Sequence, residues 1–416
     1  MGRHSDLLDA LERGYDEPVR DPLWGHVYLT PGLRAIIGSA PFARLSRIRQ
    51  LGPACNVYPG ATHTRYVHSL GVYHVARSMM VSLVRREGSG PFTEEGIRSF
   101  LAAALIHDLG HFPYTHSLKE LALEDHEALT ARIALDDPVR GLLAGAGAAP
   151  ERTAAIVDEG LEADAETIAY RNVLSGVLDP DKLDYLNRDA YFCGVPYGTQ
   201  DLDFALSRIR FDGKRGIGID SKGVPSIEHI LFAKYLMYRS VYWHRDVRAA
   251  TSAAKKALSS SLRAGRFAPE ELYSLDDDSF GSLVRRMGER DRTLAETALA
   301  GRLLSCRAEI PFERGRSGHA VLEDLGKRTE LEDEMERATG RGHEAVVVID
   351  LPEAVSFESD VRVVDLDEAF CDVSSLFTRG AVESFTRSLR VIRVYSSEPL
   401  APEARRVLDA ALGGAA

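Results

Sequence analysis

Residues 94–106, EEGIRSFLAAALI, form a nearly unbroken apolar run that leads straight into His107-Asp108. Ile97, Leu101, Ala104 and Leu105 fall on one line, which predicts a buried helix opened by a Thr93 N-cap with Glu94 and Glu95 in its first turn. An imidazole and a carboxylate at the inner end of such a helix are costly to bury without a partner or a metal. Neighbours on a helix point about 100° apart, so both can reach one ion placed beside it. The chain must therefore fold so that other polar groups meet this helix end. The plain alternative is a surface helix finished by a capping His-Asp pair.

Candidate partners lie on both sides. His68 opens a second helical pattern, HSLGVYHVARSMMVSLVRR, in which Leu70, Val72, Val75, Met79, Leu83 and Val84 recur at near-helical spacing up to a GSGP loop. Asp179-Pro180 reads as an N-cap followed by proline, so a third helix, DKLDYLNRDAYF, opens on Asp181. Along it Asp181, Tyr185 and Asp189 share one slowly drifting stripe, while Leu183, Leu186 and Ala190 supply a packing face. That stripe is either an exposed charged face or the wall of a cavity. His68, His107, Asp108 and Asp181 together make a mixed nitrogen–oxygen set. It suits Mn²⁺, Fe²⁺, Mg²⁺ or Zn²⁺ with open positions rather than a closed cysteine-type zinc site. His111 and His116 follow the His-Asp pair directly and are natural acid–base candidates near neutral pH.

Further helices are expected at 122–135, 150–160 and 164–174, a small hairpin within 203–221, and one long helix from about Ser226 through KKAL. From about 307 the texture changes, and AVVVID (345–350) and LRVIRVYS (389–396) read as strands among acidic helices and loops. The fold class is mainly α: an all-α core with an N-terminal helical extension over residues 1–306, and a smaller α+β unit over 307–416. The 416 residues are 44% hydrophobic, enough for a substantial core, and carry a formal net charge of −11. That charge argues against nucleic acid or an anionic membrane as partner, so any phosphate must be met by a metal and a few local Lys or Arg. Cys55, Cys193, Cys306 and Cys371 form no CxxC pair, which suits a reducing compartment. There is no secretory h-region at the N-terminus and no apolar run of roughly 18 residues or more, so a cytoplasmic protein without a membrane span is expected.

Three motifs in order, RIRQLGPACNVYPGATHTRYVHSLGV, LIHDLGHFPYTH and DPDKLDYLNRDAYFCG, resemble those of the HD-domain deoxynucleoside triphosphate triphosphohydrolases and their close bacterial relatives. The resemblance covers roughly residues 20–260. It implies an all-α HD core in which His68, His107, Asp108 and Asp181 bind a divalent metal. It also implies that His116 protonates the departing 5′-oxygen, that His111 contacts the α-phosphate, and that His126 and Glu127 orient that pair. By the same matching, Arg65, Lys182 and Lys234 bind phosphate, Gln50 and Leu51 meet sugar and base, Tyr185 and Asp189 bound the sugar, and Tyr242 packs at its 2′ edge. Read as residues alone, Arg65 fits a surface salt bridge equally well, Gln50 a helix-end polar group, and His126-Glu127 a solvated pair. Tyr235, Tyr238 and Tyr242 likewise fit a core stripe. The resemblance further implies a homo-oligomer. Where activator-dependent members read a guanine nucleotide with an acid, a Gln and an Arg, this chain has Gly38, Ala43 and Ser46, so activation by that route is not expected.

The implied activity is metal-dependent hydrolysis of a dNTP to deoxynucleoside and inorganic triphosphate. Two other readings stand beside it: hydrolysis of another nucleotide or phosphate ester, and a nucleotide-binding regulator that uses the pocket as a sensor. HDLGH replaces the HD-x-x-E-D arrangement of alarmone hydrolases, and the GYP signature of cyclic-dinucleotide phosphodiesterases is missing. A pure sensor has no need of four intact ligands together with His111 and His116.

Overall fold

The apolar run ending at His107 becomes the central helix of the molecule. The computed structural model describes residues 2–87, 90–176, 178–341, 345–355, 357 and 361–413. In it, α1 (Arg65–Glu87) and α2 (Glu94–Ile106) pack together, and α2 also packs on α4 (Pro150–Val157) and α5 (Ala165–Leu174). Between them comes α3 (His126–Leu135), which lies on α4, while α6 (Pro180–Cys193) lies on α1 and α5. Every residue of α2 from Ser99 to Ile106 is buried, and its Thr93 cap accepts from Gly96 N as the sequence predicts. Burying Phe100, Leu101, Leu105 and Ile106 contributes about 1.5–3 kcal/mol each.

α6 starts one residue earlier than expected, at Pro180, because the Asp179 carboxylate caps Lys182 N and leaves proline in the first turn. Its close seat on α1 depends on one glycine. A Cβ at Gly71 would lie 1.9 Å from Asp184 Oδ1 and 2.3 Å from Arg188 Nη2, so no larger residue lets that buried ion pair reach α1.

The single long helix expected after Ser226 is two helices. α7 (Val224–Met237) runs into a π turn at Tyr238–Tyr242, and α8 (Arg245–Arg263) begins after the His244 side chain caps Asp246 N. The helical path breaks at Trp243 and His244, between the π turn and α8. The hairpin forms only over the second half of its expected span, as β1 (Ile209–Phe211) and β2 (Ile217–Ile219), after a short helix at Leu202–Arg208.

Toward the C-terminus, β3 (Ser305–Pro311) and β4 (Val347–Asp350) flank β6 (Val391–Ser396) antiparallel on either side. The half-exposed β3 lacks an apolar face and was not evident from its sequence. α9 (Leu325–Ala338) and α10 (Pro402–Ala411) pack together over this sheet and share its core through Leu331, Met335, Val347, Ile349, Ile392 and Leu408. The short β5 (Arg362–Val363) instead pairs with β2, and Phe357, Val361, Val363, Phe370 and Phe377 join the core of the helical body. The molecule is mainly α, a helical core carrying small sheets. No helix among the described residues is long and apolar enough to cross a membrane.

Candidate metal centre and active site

His68 lies one turn into α1, and His107 caps the end of α2. Each has one ring nitrogen committed elsewhere. His107 Nδ1 donates to Ala104 O at 3.0 Å, and His68 Nδ1 donates to Asp184 Oδ2 at 2.8 Å. Their Nε2 atoms therefore face the same space, the arrangement that second-layer partners impose on metal-ligating histidines. His68 Nε2 lies 2.9 Å from Asp181 Oδ1 and 3.9 Å from Asp108 Oδ2. His107 Nε2 lies 3.2 Å from Asp108 Oδ1 and 3.8 Å from Asp181 Oδ1, and it is buried with no hydrogen-bond partner. Ligand atoms of His68, His107 and Asp181 all fall within 4.8 Å of one another.

The electrostatics suit a cation. Burial raises Asp108, but His111, His107, Arg65 and His68 override it and hold the carboxyl well below the usual range. Asp181 is likewise lowered: burial opposes this, and the His68 hydrogen bond and charge prevail. Burial works against a charge on His68, yet hydrogen bonds to Asp181 and Asp184 keep its ring up at about 10. The field that holds a proton on His68 is one that also favours a divalent cation. The orphaned His107 nitrogen, two ionised carboxylates and a mixed nitrogen–oxygen donor set fit such an ion.

Behind this cluster, His111 Nδ1 is 3.2 Å from Asp108 Oδ1, and its Nε2 is 3.1 Å from His116 Nε2. The His126 ring lies 3.8 Å from that of His111, centroid to centroid, and its Nδ1 is 2.9 Å from Glu127 Oε2. Asp108, His111 and His126 form a second set with ligand atoms within 4.8 Å. Burial, reinforced by the Arg65 charge, pushes His111 and His116 below the ordinary histidine value, so both rings are neutral near pH 7. Gly110 permits this crowding, because a Cβ there would meet His126 O at 2.2 Å. The Arg44 guanidinium pins the same loop by donating to the carbonyls of Leu109, His111 and Leu275.

One cavity of about 730 Å³ opens over the cluster. Gln50, Leu51, Arg65, His107, Asp108, His116, His126, Asp181, Lys182, Tyr185, Asp189, Lys234 and Tyr242 all border it. His68 and His111 lie buried beneath, and Glu127 sits half-exposed behind His126 without bordering the cavity. Gln50 and Leu51 arrive because Gln50 N bonds His63 O and Arg65 N bonds Ile48 O, which lays their strand-like segment along the start of α1. Arg65 Nη1 donates to Asp108 Oδ2 at 2.8 Å, while its buried Nε has no partner. Lys182 Nζ reaches Asp179 Oδ2 at 2.7 Å and Gly176 O at 2.9 Å. Tyr242 donates to Asp189 Oδ2 at 2.7 Å and meets Tyr185 edge to face; it borders the cavity and, with Tyr235 and Tyr238, also packs against the hydrophobic core.

Several contributors escaped the sequence reading. Asp184 orients His68 and binds Arg188, and only its place three residues after Asp181 and four before Arg188 hints at this. His63 holds Asp189 Oδ1 at 2.8 Å. Arg248, Thr251 and Lys255 of α8, and Leu351, Glu353, Ala354 and Val355 beyond β4, also line the cavity.

Residues 65–170 match the HD domain family, and residues 201–413 match the HD associated region, which alone spans more than half of the chain. The chain belongs to the HD-domain phosphohydrolase superfamily. The HD match thus carries His68 and the His107-Asp108 pair, and the HD associated region carries Lys234 and Tyr242. The uncharacterized protein YwfO of Bacillus subtilis is 36% identical over 249 residues, covering 58% of this chain and 54% of that protein. The deoxynucleoside triphosphate triphosphohydrolase SAMHD1 of Bos taurus is 25% identical over 279 residues, 59% of this chain and 47% of its own. The chain thus spans about half the length of these curated relatives. Among solved structures, a hypothetical protein from Aquifex aeolicus superposes with a TM-score of 0.70 at 25% identity, covering 96% of this chain and 99% of that one. A Bacteroides thetaiotaomicron phosphohydrolase shares the fold at a TM-score of 0.69 and 21% identity, covering 92% of this chain and 99% of its own.

Proposed function

We propose that this HD phosphohydrolase converts deoxynucleoside triphosphates to deoxynucleoside and inorganic triphosphate, with a divalent cation held by His68, His107, Asp108 and Asp181. The observation that carries the reading is the cavity, which brings His107, Asp108 and Asp181, with His68 buried beneath, together with His116, His126, Arg65, Lys182, Lys234 and a tyrosine wall around one space large enough for a nucleotide. The deoxynucleoside triphosphate triphosphohydrolase activity of the SAMHD1 relative supports the substrate class. A divalent cation there, Mn²⁺, Fe²⁺, Mg²⁺ or Zn²⁺, supplies Lewis acidity toward phosphoryl oxygen and acidifies water.

The chain's own groups do the rest. Arg65, Lys182 and Lys234 offset charge on the triphosphate, and the unpaired Nε of Arg65 is available for this without breaking its bond to Asp108. As water adds at the α-phosphorus and the bond to the 5′-oxygen breaks, a proton passes from His116 to that oxygen. Burial and the Arg65 charge hold His116 neutral, and the arriving polyanion favours its protonated form. His111 lies between Asp108 and His116, and its Nε2, 3.1 Å from His116 Nε2, fixes the donor ring. Tyr242, held by Asp189 and backed by Tyr185, forms a rigid wall against the sugar, and Gln50, whose buried Oε1 has no partner, borders the same cavity. We read the enzyme as a homo-oligomer on the same resemblance.

Product analysis with a nucleotide panel in each of the four metals tests the reading. Inorganic triphosphate and nucleoside are expected from at least one dNTP and are lost in Asp108→Ala. Release of pyrophosphate, or no turnover of any dNTP in any metal, would overturn it.

A further inference from the structure

The segment between His111 and His126 carries His116 yet has little regular structure. Its only helical piece is the 3₁₀ turn Thr115–Leu118, and Tyr114 just before it sits at φ 67°. A non-glycine residue in this left-handed region is strained and persists only where its surroundings hold it. Phe112 and Leu118 anchor the segment from below, buried against Ala250, Ala253 and Leu258 of α8.

A second anchor lies just past the turn. The Glu120 carboxylate pairs through one oxygen with Lys255 of α8 and through the other with Arg328 of α9. Both cations are buried, Lys255 being 6% and Arg328 1% exposed. Among the described residues, Glu120 is the only acid ion-paired with either, and the buried Nε and Nη1 of Arg328 have no partner at all. Two desolvated cations thus converge on one carboxylate; the Asp350 charge also acts on Lys255, but Asp350 is bonded to Arg248 and Ser252. Glu120, Lys255 and His116 border the same cavity.

We propose that Glu120 is a positioning residue for His116. The Lys255–Glu120–Arg328 bridge locks the strained turn against the cavity, so that a helix from the C-terminal region sets the proton donor. The proposal rests on the reading of His116 as the donor to the leaving 5′-oxygen. It also assigns a role to α9, which covers the small sheet and does not border the cavity.

The test compares two substrates on the full-length, metal-loaded protein: a dNTP that it turns over, and the 5′-thio analogue of that dNTP. The sulfur analogue leaves as a thiolate that needs no proton. Glu120→Gln and Arg328→Met are expected to lower kcat on the oxygen substrate ~10–100-fold, with KM and the rate on the sulfur substrate within ~2-fold of wild type. Lys255→Arg, which keeps the charge, is expected to retain most activity. His116→Ala is the reference and must show the same preference for sulfur, more strongly. Should Glu120→Gln fail to fold, Glu120→Asp, which keeps the charge but shortens its reach, carries the same comparison. Equal losses on both substrates in the Glu120 and Arg328 variants, or none on either, overturn the proposal while leaving the role of His116 intact. Equal losses in His116→Ala overturn the donor reading itself.

Discussion

Replacing Asp184 by Asn separates the orientation of a metal ligand from the packing beneath it. Asp184 is fully buried, with Oδ2 2.8 Å from His68 Nδ1 and both oxygens bonded to Arg188 at 2.7 and 2.8 Å. Asn preserves the shape, so no cavity opens, but one negative charge leaves the cluster. Arg188 keeps a second carboxylate, Asp21 Oδ2 at 2.9 Å. Removing one partner of a buried pair costs about 3–5 kcal/mol when the other is left alone, and the retained Asp21 places this variant near or below the lower end. The metal effect has a separate origin. An outer carboxylate fixes the tautomer of a ligating imidazole, and its loss typically weakens metal binding about 10–100-fold, or roughly 1.4–2.7 kcal/mol. Competition titration with a chelator gives the metal Kd, and thermal melts of the metal-free protein give the packing cost. Both are expected to move, with Kd rising at least ~10-fold. A lower melting temperature with an unchanged Kd would show that Asp184 serves Arg188 alone, and the orientation argument would fail.

Gly110→Ala is expected to lower turnover ~100-fold and stability by about 1–3 kcal/mol, because the new methyl must displace His126 O, now 2.2 Å from its position, and Leu129 Cβ at 2.7 Å. Activity and melting temperature check it together. Asp350 gives a pH signature from outside the metal cluster, although its partner Arg248 lines the cavity. Burial raises its carboxyl, but the Arg248 guanidinium and Ser252 hydroxyl override this and hold it at about 2. A depressed pKa stabilises above the unfolded value near ~3.9 and loses that contribution as pH falls toward 2, about 2.5 kcal/mol in all. The difference in melting temperature between wild type and Asp350→Asn should therefore shrink between pH 5 and 2.5, and a constant difference would contradict it.

The residues legible in the sequence are those whose chemistry shows locally. Thr93 and Asp179 cap helices through their own side chains and the backbone three residues on, so their roles are written in consecutive positions. His107-Asp108 at the end of an apolar helix demands partners wherever it folds. What stayed hidden depends on contacts far apart in the chain. Asp184 reads as part of a charged helix face until α1 brings His68 against it, and His63 reads as a loop residue until it meets Asp189, 126 positions away. Lys255 sits in an unremarkable KK pair, and only Glu120 and the cavity give it a role. The π turn at Tyr238–Tyr242 is not legible in the apolar pattern, although Tyr242 within it borders the cavity.

The change of texture near residue 307 does not mark where the folding unit ends. β3 begins at Ser305, so a chain cut after residue 306 would lose most of that strand along with its partner β6. Phe357, Val361, Val363, Phe370, Phe377 and Leu389 lie beyond the cut, yet all are buried in the core built around α1 and α2. At about 1.5–3 kcal/mol each, those six side chains account for up to roughly 9–18 kcal/mol of burial. That matches the whole net stability of a typical domain, about 5–15 kcal/mol. Residues 1–306 expressed alone are therefore expected to aggregate or to melt without cooperativity, and to bind no metal in a 1:1 ratio. Circular dichroism melts and metal analysis of the truncated chain decide the matter. A soluble 1–306 fragment that unfolds cooperatively and retains stoichiometric metal would show that the C-terminal side chains merely cover a core complete without them.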